Sequence, residues 1–160
     1  MSSPHKVIPS ASKLEIGSHP KSVHDIMMTK LVTFYKETPV LSAIDTLLKN
    51  QISGAPVVDE NNAIVGILSE IDAMATLIQS SYHKKLREYV RDFMSTDVIA
   101  VSPEMGIMDL AELFLKKHFR RFPVVKNGKL IGQVSRRDVL RAILVLSKEQ
   151  YTTPFTRSSV

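Results

Sequence analysis

Two pairs of arginines and two Gly-x-x-Ser-x-x-Asp sequences are the residues whose types and spacing could do chemistry in this chain of 160 residues. Arg120 and Arg121 stand immediately before the apolar run Phe122-Pro123-Val124-Val125, and Arg136 and Arg137 fall inside Ser135-Arg136-Arg137-Asp138. A planar guanidinium fork holds two oxygens of a phosphate at once, so paired arginines beside a strand suit an anion. Strand alternation is expected to send Arg120 and Arg121 to opposite sides, leaving one of them for any given phosphate. Ser69-Glu70-Ile71-Asp72 and Ser135-Arg136-Arg137-Asp138 each fit a capping box, with serine at the N-cap and a carboxylate at the third helical position. A helix start also presents unpaired N–H groups and partial positive charge, so capping and phosphate binding are compatible there. Glu70 suits that positive end. Arg136 and Arg137 oppose it at about 0.3–1 kcal/mol per charge, a mismatch that a bound anion offsets or that solvent screens if both groups bend outward.

The elements that must position these residues are written twice. Val23-His24-Asp25-Ile26-Met27-Met28 recurs as Val90-Arg91-Asp92-Phe93-Met94-Ser95, a shift of 67 positions that still relates Pro56 to Pro123. It falls to 66 at Gly66 and Gly132, as expected if the first hairpin loop, Asp59 to Asn62, is one residue longer than the second. Short β-branched runs predict a first strand at Leu31 to Tyr35 and at Val98 to Val101. Helical spacing of Leu41, Ile44, Leu47 and Leu48, and of Ile107, Leu110, Phe114 and Leu115, predicts a core-facing helix in each copy. Thr38-Pro39 fits an N-cap followed by proline at the first helical position. Second strands are expected at Ala55 to Val58 and Phe122 to Val125, and third strands at Ile64 to Leu68 and Leu130 to Val134. Asn127-Gly128 predicts a tight hairpin between the later pair. Closing helices are placed at about Glu70 to Gln79 and Arg136 to Ser147. The order is thus β-α-β-β-α twice, and two halves too small to bury their own faces are expected to pack into one α+β unit with pseudo-twofold symmetry. The organisation reads as an N-terminal tail over 1–20, repeat 1 over 21–80, a polar linker with a basic cluster over 81–89, repeat 2 over 90–147 and a C-terminal tail over 148–160.

Composition excludes several chemistries. There is no cysteine, hence no disulfide, thiolate metal site or cysteine nucleophile. The histidines at 5, 19, 24, 83 and 118 lack metal-ligand spacing, Gly128-Lys129 follows no P-loop pattern, and no Gly-x-Ser-x-Gly sequence occurs. No enzyme activity, catalytic cofactor or metal is expected. A formal net charge of +5 is compatible with phosphate-bearing partners. Lys84, Lys85 and Arg87 offer charge without a stacking platform, so nucleic acid is not the expected partner. No apolar run approaches the roughly 18 residues of a membrane span, and no signal-like segment opens the chain, so a cytoplasmic protein without a membrane partner is expected.

The tandem resembles a pair of CBS domains (cystathionine beta-synthase domains), a Bateman module. The resemblance covers Val23 to about Leu146. It is carried by Ser53-Gly54-Ala55-Pro56-Val57-Val58-Asp59, by Arg120-Arg121-Phe122-Pro123-Val124-Val125, and by the Gly-x-x-Ser-x-x-Asp sequences at Gly66 to Asp72 and Gly132 to Asp138. It implies a non-catalytic regulatory module that binds an adenine nucleotide (AMP, ADP or ATP) between the repeats, pairs into a homodimer, and signals to a regulated protein. It further implies that the aspartate takes the ribose hydroxyls, the serine meets ribose or phosphate, the strand residues before the helix and those of the first strand flank the base, and the pair before Pro-Val in the opposite repeat faces the phosphates. On that pattern one cleft would combine Ile67, Ser69 and Asp72 with Ile99, Arg120 and Arg121. The other would combine Gln133, Ser135 and Asp138 with Val32, Ser53 and Gly54. Because Ser53-Gly54 carries no charge, the Asp72 cleft is expected to prefer a phosphorylated ligand. The Asp138 cleft is expected to be weaker, more tolerant of a nucleoside, or dependent on Arg136 and Arg137. The alternative is a ligand-independent dimerisation or docking domain.

Overall fold

The computed structural model describes residues 19–83 and 88–152. The basic cluster of Lys84, Lys85 and Arg87 and most of both expected tails lie outside them. Each copy holds an antiparallel hairpin flanked by helices. In the first, α2 (Val40–Lys49) leads to β1 (Gly54–Val58), β2 (Ile64–Ser69) and α3 (Glu70–His83). In the second, α4 (Ile107–Lys117) leads to β3 (Arg121–Lys126), β4 (Lys129–Ser135) and α5 (Arg136–Thr152). A short helix α1 (Val23–Ile26) and a 3-10 turn over Val90–Asp92 open the two copies. The fold is α+β, as expected.

The hairpins follow from their turns. Asn127 and Gly128 both take positive φ (51° and 75°), the conformation that lets a two-residue turn follow the twist of its strands. The longer first loop is braced by Asp59, whose Oδ1 accepts from the N–H of Asn61 and of Ala63 at 2.9 Å each.

The expected first strands are extended segments held by one parallel bridge each, Phe34 to Val57 and Val101 to Val124. Proline explains the truncation. The Phe34 N–H donates to the Pro56 carbonyl at 2.9 Å and the Val58 N–H donates to the Phe34 carbonyl at 2.8 Å. The next rung would need Pro56 to donate to Val32, and Pro56 has no N–H. Pro123 stops the second ladder at Ile99 in the same way. Neither the Val32 nor the Ile99 carbonyl can receive its ladder bond.

Helices α2 and α4 bury one stripe each, Val40, Ala43, Ile44 and Leu47 in the first, Ile107, Leu110 and Phe114 in the second. Leu41, Leu48 and Leu115, expected on those stripes, are 51%, 69% and 77% exposed. At 100° per residue they fall on the flank of the buried positions. The start of α2 also differs from expectation. Pro39 is the N-cap, and the Thr38 hydroxyl accepts from the Tyr35 N–H instead of from the helix. The first helical N–H, at Val40, donates to the Glu88 carbonyl at 3.0 Å.

The closing helices run past their expected ends, so the boundaries at 80/81 and 147/148 fall inside α3 and α5. Within the extended α3 the Ser81 hydroxyl donates to the Leu77 carbonyl at 2.8 Å. Lys148, Glu149 and Gln150 are good helix formers with no breaker among them. Glu149 also meets His19 at 2.6 Å.

The two copies interlock. Val23 and Ile26, from the start of the first copy, are buried in the core built by Phe122, Val124, Val134 and Val139 of the second. Val90, with Phe93 and Met94 beside it, completes the core of Phe34, Ala43, Val57 and Leu68 in the first. Backbone bridges accompany the exchange, Met28 to Gln133 and Ile67 to Ser95, the latter through two bonds of 2.9 Å. Glycine permits it. A Cβ on Gly66 would lie 2.7 Å from Met94 Sδ and 2.9 Å from the Ser95 oxygen. One on Gly132 would lie 2.8 Å from Met27 Sδ and 3.0 Å from the Met28 oxygen. The sequence repeats at 21–80 and 90–147 are therefore not the packing units, because each lends its opening segment to the other.

Candidate functional site between the repeats

Helices α3 and α5 begin with the same local geometry. Asp72 Oδ2 accepts from the Ser69 N–H at 2.8 Å and from the Ser69 hydroxyl at 2.7 Å, while the Asp72 N–H donates back to Ser69 Oγ at 3.2 Å. Ser135 and Asp138 repeat these contacts at 2.8, 2.7 and 3.2 Å. The capping box is thus real in both copies, and it uses one carboxylate oxygen. The other oxygen distinguishes them. Asp138 Oδ1 is met by Arg141 Nη1 at 3.3 Å, whereas Ala75 occupies the corresponding place in the first copy. Among the described residues, no donor meets Asp72 Oδ1.

Asp72 lines a cavity of about 570 Å³ between the copies. Ile67, Ser69, Ile99, Arg120 and Arg121 line it with Asp72, so the six residues assigned to the first cleft share one hollow. Ile67 is brought there by its bridge to Ser95, and Ile99 by the segment whose ladder Pro123 cuts short. Of the six residues assigned to the other cleft, four line this hollow or a second one. Ser53, Gly54 and Gln133 line the Asp72 cavity, and Ser53 and Ser135 line a second crevice of about 430 Å³. Val32 and Asp138 line neither. Val32 packs against the first copy's core, and Asp138 is held by Arg141.

Arg120 and Arg121 line both hollows, contrary to the expectation that alternation would separate them. Arg120 precedes β3, which begins at Arg121, so the pleat does not govern its side chain. Arg136 and Arg137 line the crevice beside them. Among the described residues, no carboxylate lies within ion-pairing distance of these four guanidinium groups. Pattern reading missed Ser95, Asp97, His118 and Phe119, which also line the Asp72 cavity. His118 ends α4 in the left-handed conformation at φ 55°, and Phe119 packs edge-on against Phe122 with ring centroids 5.6 Å apart. Ser95 was findable as the residue closing the recurring Val-x-Asp-x-Met sequence. Asp97, His118 and Phe119 carry no periodic signal.

No cluster of three metal-ligating side chains occurs among the described residues, and no helix there is long and apolar enough to cross a membrane. The cavity therefore joins a carboxylate oxygen free to accept, apolar walls at Ile67 and Ile99, and two cations. Such a hollow suits a polyol carrying an anion, with an apolar face between them.

Known proteins share this fold. The chain is 30% identical to the protein MJ1426 of Methanocaldococcus jannaschii across 83% of its own length and 97% of that protein. It is 30% identical to CBSX2 of Arabidopsis thaliana, a CBS domain-containing protein named as chloroplastic, and spans 58% of that protein's length. The crystal structure of CBSX2 in complex with AMP superposes with a TM-score of 0.69 at 34% identity, covering 79% of this chain and 98% of that one. The CBS domain pair of protein MJ0100, in complex with 5′-methylthioadenosine and S-adenosyl-L-methionine, gives a TM-score of 0.65 at 25% identity, covering 79% and 97%. The CBS domain itself matches twice, at residues 23–78 and 90–145, and with both hairpins and their helix starts inside those bounds the chain belongs to the CBS-domain family.

Proposed function

We propose that the chain is a non-catalytic regulatory module of the cytoplasm that binds an adenine nucleotide (AMP, ADP or ATP) in the Asp72 cavity and relays its presence to a partner protein. The observation that carries this reading is the unengaged Oδ1 of Asp72 in the same hollow as Arg120 and Arg121. Asp72 takes the ribose hydroxyls, and Ser69 stands ready for ribose or phosphate. Ile67 and Ile99 flank the base, with the ladder-free Ile99 carbonyl beside it. Arg120 and Arg121 neutralise the first phosphate. The AMP complex of CBSX2 and the adenosine-containing ligands of MJ0100 support an adenosine compound.

Ligand shifts the balance between arrangements of the two copies by its difference in affinity for them. The interlocked segments at Met28 and Ser95 are the elements through which such a shift would travel. Pairing of two chains is part of the proposal. Ile71, Met74 and Ile78 make an exposed apolar stripe on α3, and Leu140 and Leu144 make one on α5.

Calorimetry of ligand-free protein with AMP, ADP and ATP tests the reading. Saturable heat with at least one of them, reduced in Asp72→Ala, is expected, and its absence for all three would leave the module as a docking domain. That second reading is favoured by one feature, the engagement of Asp138 by Arg141, which makes the other helix start a purely structural cap.

A further inference from the structure

The crevice beside the Asp72 cavity has no role in the assignment above. Its walls come from both copies. The Arg136 N–H donates to the Arg120 carbonyl at 3.3 Å, and the Glu70 N–H donates to the Ser53 carbonyl at 2.9 Å. These are equivalent contacts in the two repeats. They bring the start of each closing helix against the residue that leads into its own hairpin, where the chemistry then diverges. The first copy offers a serine and one carboxylate, Ser53 and Glu70, and the second offers Arg120, Arg121, Arg136 and Arg137. Four arginines and one glutamate thus line a hollow of about 430 Å³, and no ion pair engages any of the four arginines among the described residues. Two of the cations sit in the first turn of α5, where the helix dipole also favours an anion.

The crevice adjoins the cavity, with Ser53, Glu70, Arg120 and Arg121 lining both. A first phosphate placed at Arg120 and Arg121 would stand at their junction. It would leave Arg136 and Arg137 unanswered. We propose that the crevice receives the second and third phosphates of a nucleoside triphosphate seated at Asp72, so that Arg136 and Arg137 make this module selective for triphosphate over monophosphate. This rests on the nucleotide reading above and adds the identity of the ligand to it.

The test is calorimetry on the full chain, without divalent cation, of AMP, ATP and inorganic tripolyphosphate with wild type and with Arg136→Gln/Arg137→Gln. Both side chains are exposed, and unchanged melting of the variant checks its folding. Wild type is expected to bind ATP about tenfold or more tighter than AMP, the increment of one or more charge-assisted hydrogen bonds. In the variant that advantage falls to within about twofold while AMP affinity moves by less than about twofold, since AMP does not reach the crevice. Equal affinity for AMP and ATP in wild type, or equal weakening of both in the variant, overturns the triphosphate assignment and leaves the nucleotide reading standing. Binding of tripolyphosphate with no binding of either nucleotide overturns both.

Discussion

Alanine at Gly66 should do more damage than its size suggests. The new Cβ would lie 2.7 Å from Met94 Sδ, the mobile end of a side chain, and 2.9 Å from the Ser95 oxygen, which is backbone. That oxygen is fixed by the pair of 2.9 Å bonds joining Ile67 to Ser95, so it has no easy retreat. Overpacking of this kind costs about 1–3 kcal/mol, and loosening two hydrogen bonds adds about 0.5–1.5 kcal/mol each at most. Reduced freedom of the unfolded chain returns about 0.4–1 kcal/mol. The net loss is about 1–5.5 kcal/mol, which for a chain of this size lowers Tm by roughly 2–20 °C. Gly106→Ala is the internal reference. Its Cβ would meet only Asp109 Oδ2, at 3.4 Å, an ordinary contact. Thermal melts of both variants decide the matter. Because the same bridge sets Ile67 against Ser95 in the cavity wall, Gly66→Ala should also weaken nucleotide. Melting of Gly66→Ala within about 2 °C of Gly106→Ala would refute the close approach of the two copies and, with it, the interlocked fold.

Two further perturbations follow from single contacts. The Asp25 carboxyl is held below its ordinary value near 3.8, chiefly by the Lys21 N–H donating to Oδ2 at 2.8 Å. Its contribution to stability is therefore full above that value and is lost as pH falls through the lowered one. The Tm gap between wild type and Asp25→Asn should narrow in acid, and a gap constant from neutral to strongly acidic pH would contradict this. Arg121→Ala should weaken AMP by about tenfold or more through loss of a charge-assisted bond while moving adenosine by less than about twofold; equal losses by calorimetry would remove Arg121 from the phosphate.

Much of the fold was legible because a duplication constrains itself. Gly66 and Gly132, Pro56 and Pro123, and the paired Ser-x-x-Asp sequences located both hairpins and both helix starts. Two things were not legible. Recurrence of Met27-Met28 as Met94-Ser95 relates equivalent positions and does not say that each packs on the other copy. β-branched composition at Leu31 to Tyr35 suggests a strand, but the ladder depends on donors in the neighbouring chain, and Pro56 withholds one. In the cavity wall, motif residues legible in the sequence stand beside residues that only folding brings there. Asp97, His118 and Phe119 come to the cavity from turns whose course no periodicity encodes. The difference between the two aspartates was hidden for a related reason, since Arg141 engages Asp138 from one helical turn away and Ala75 leaves Asp72 alone.

That difference supplies the most direct test of the account. Asp72 and Asp138 cap their helices through matching bonds of 2.8, 2.7 and 3.2 Å, so alanine at either position removes the same cap, and at Asp138 the exposed Arg141 contact as well. Titration of AMP into Asp72→Ala and Asp138→Ala under one set of conditions isolates the remaining oxygen. Loss of AMP binding in Asp72→Ala with near-wild-type binding in Asp138→Ala is the predicted result, and equal affinities in the two variants would contradict it.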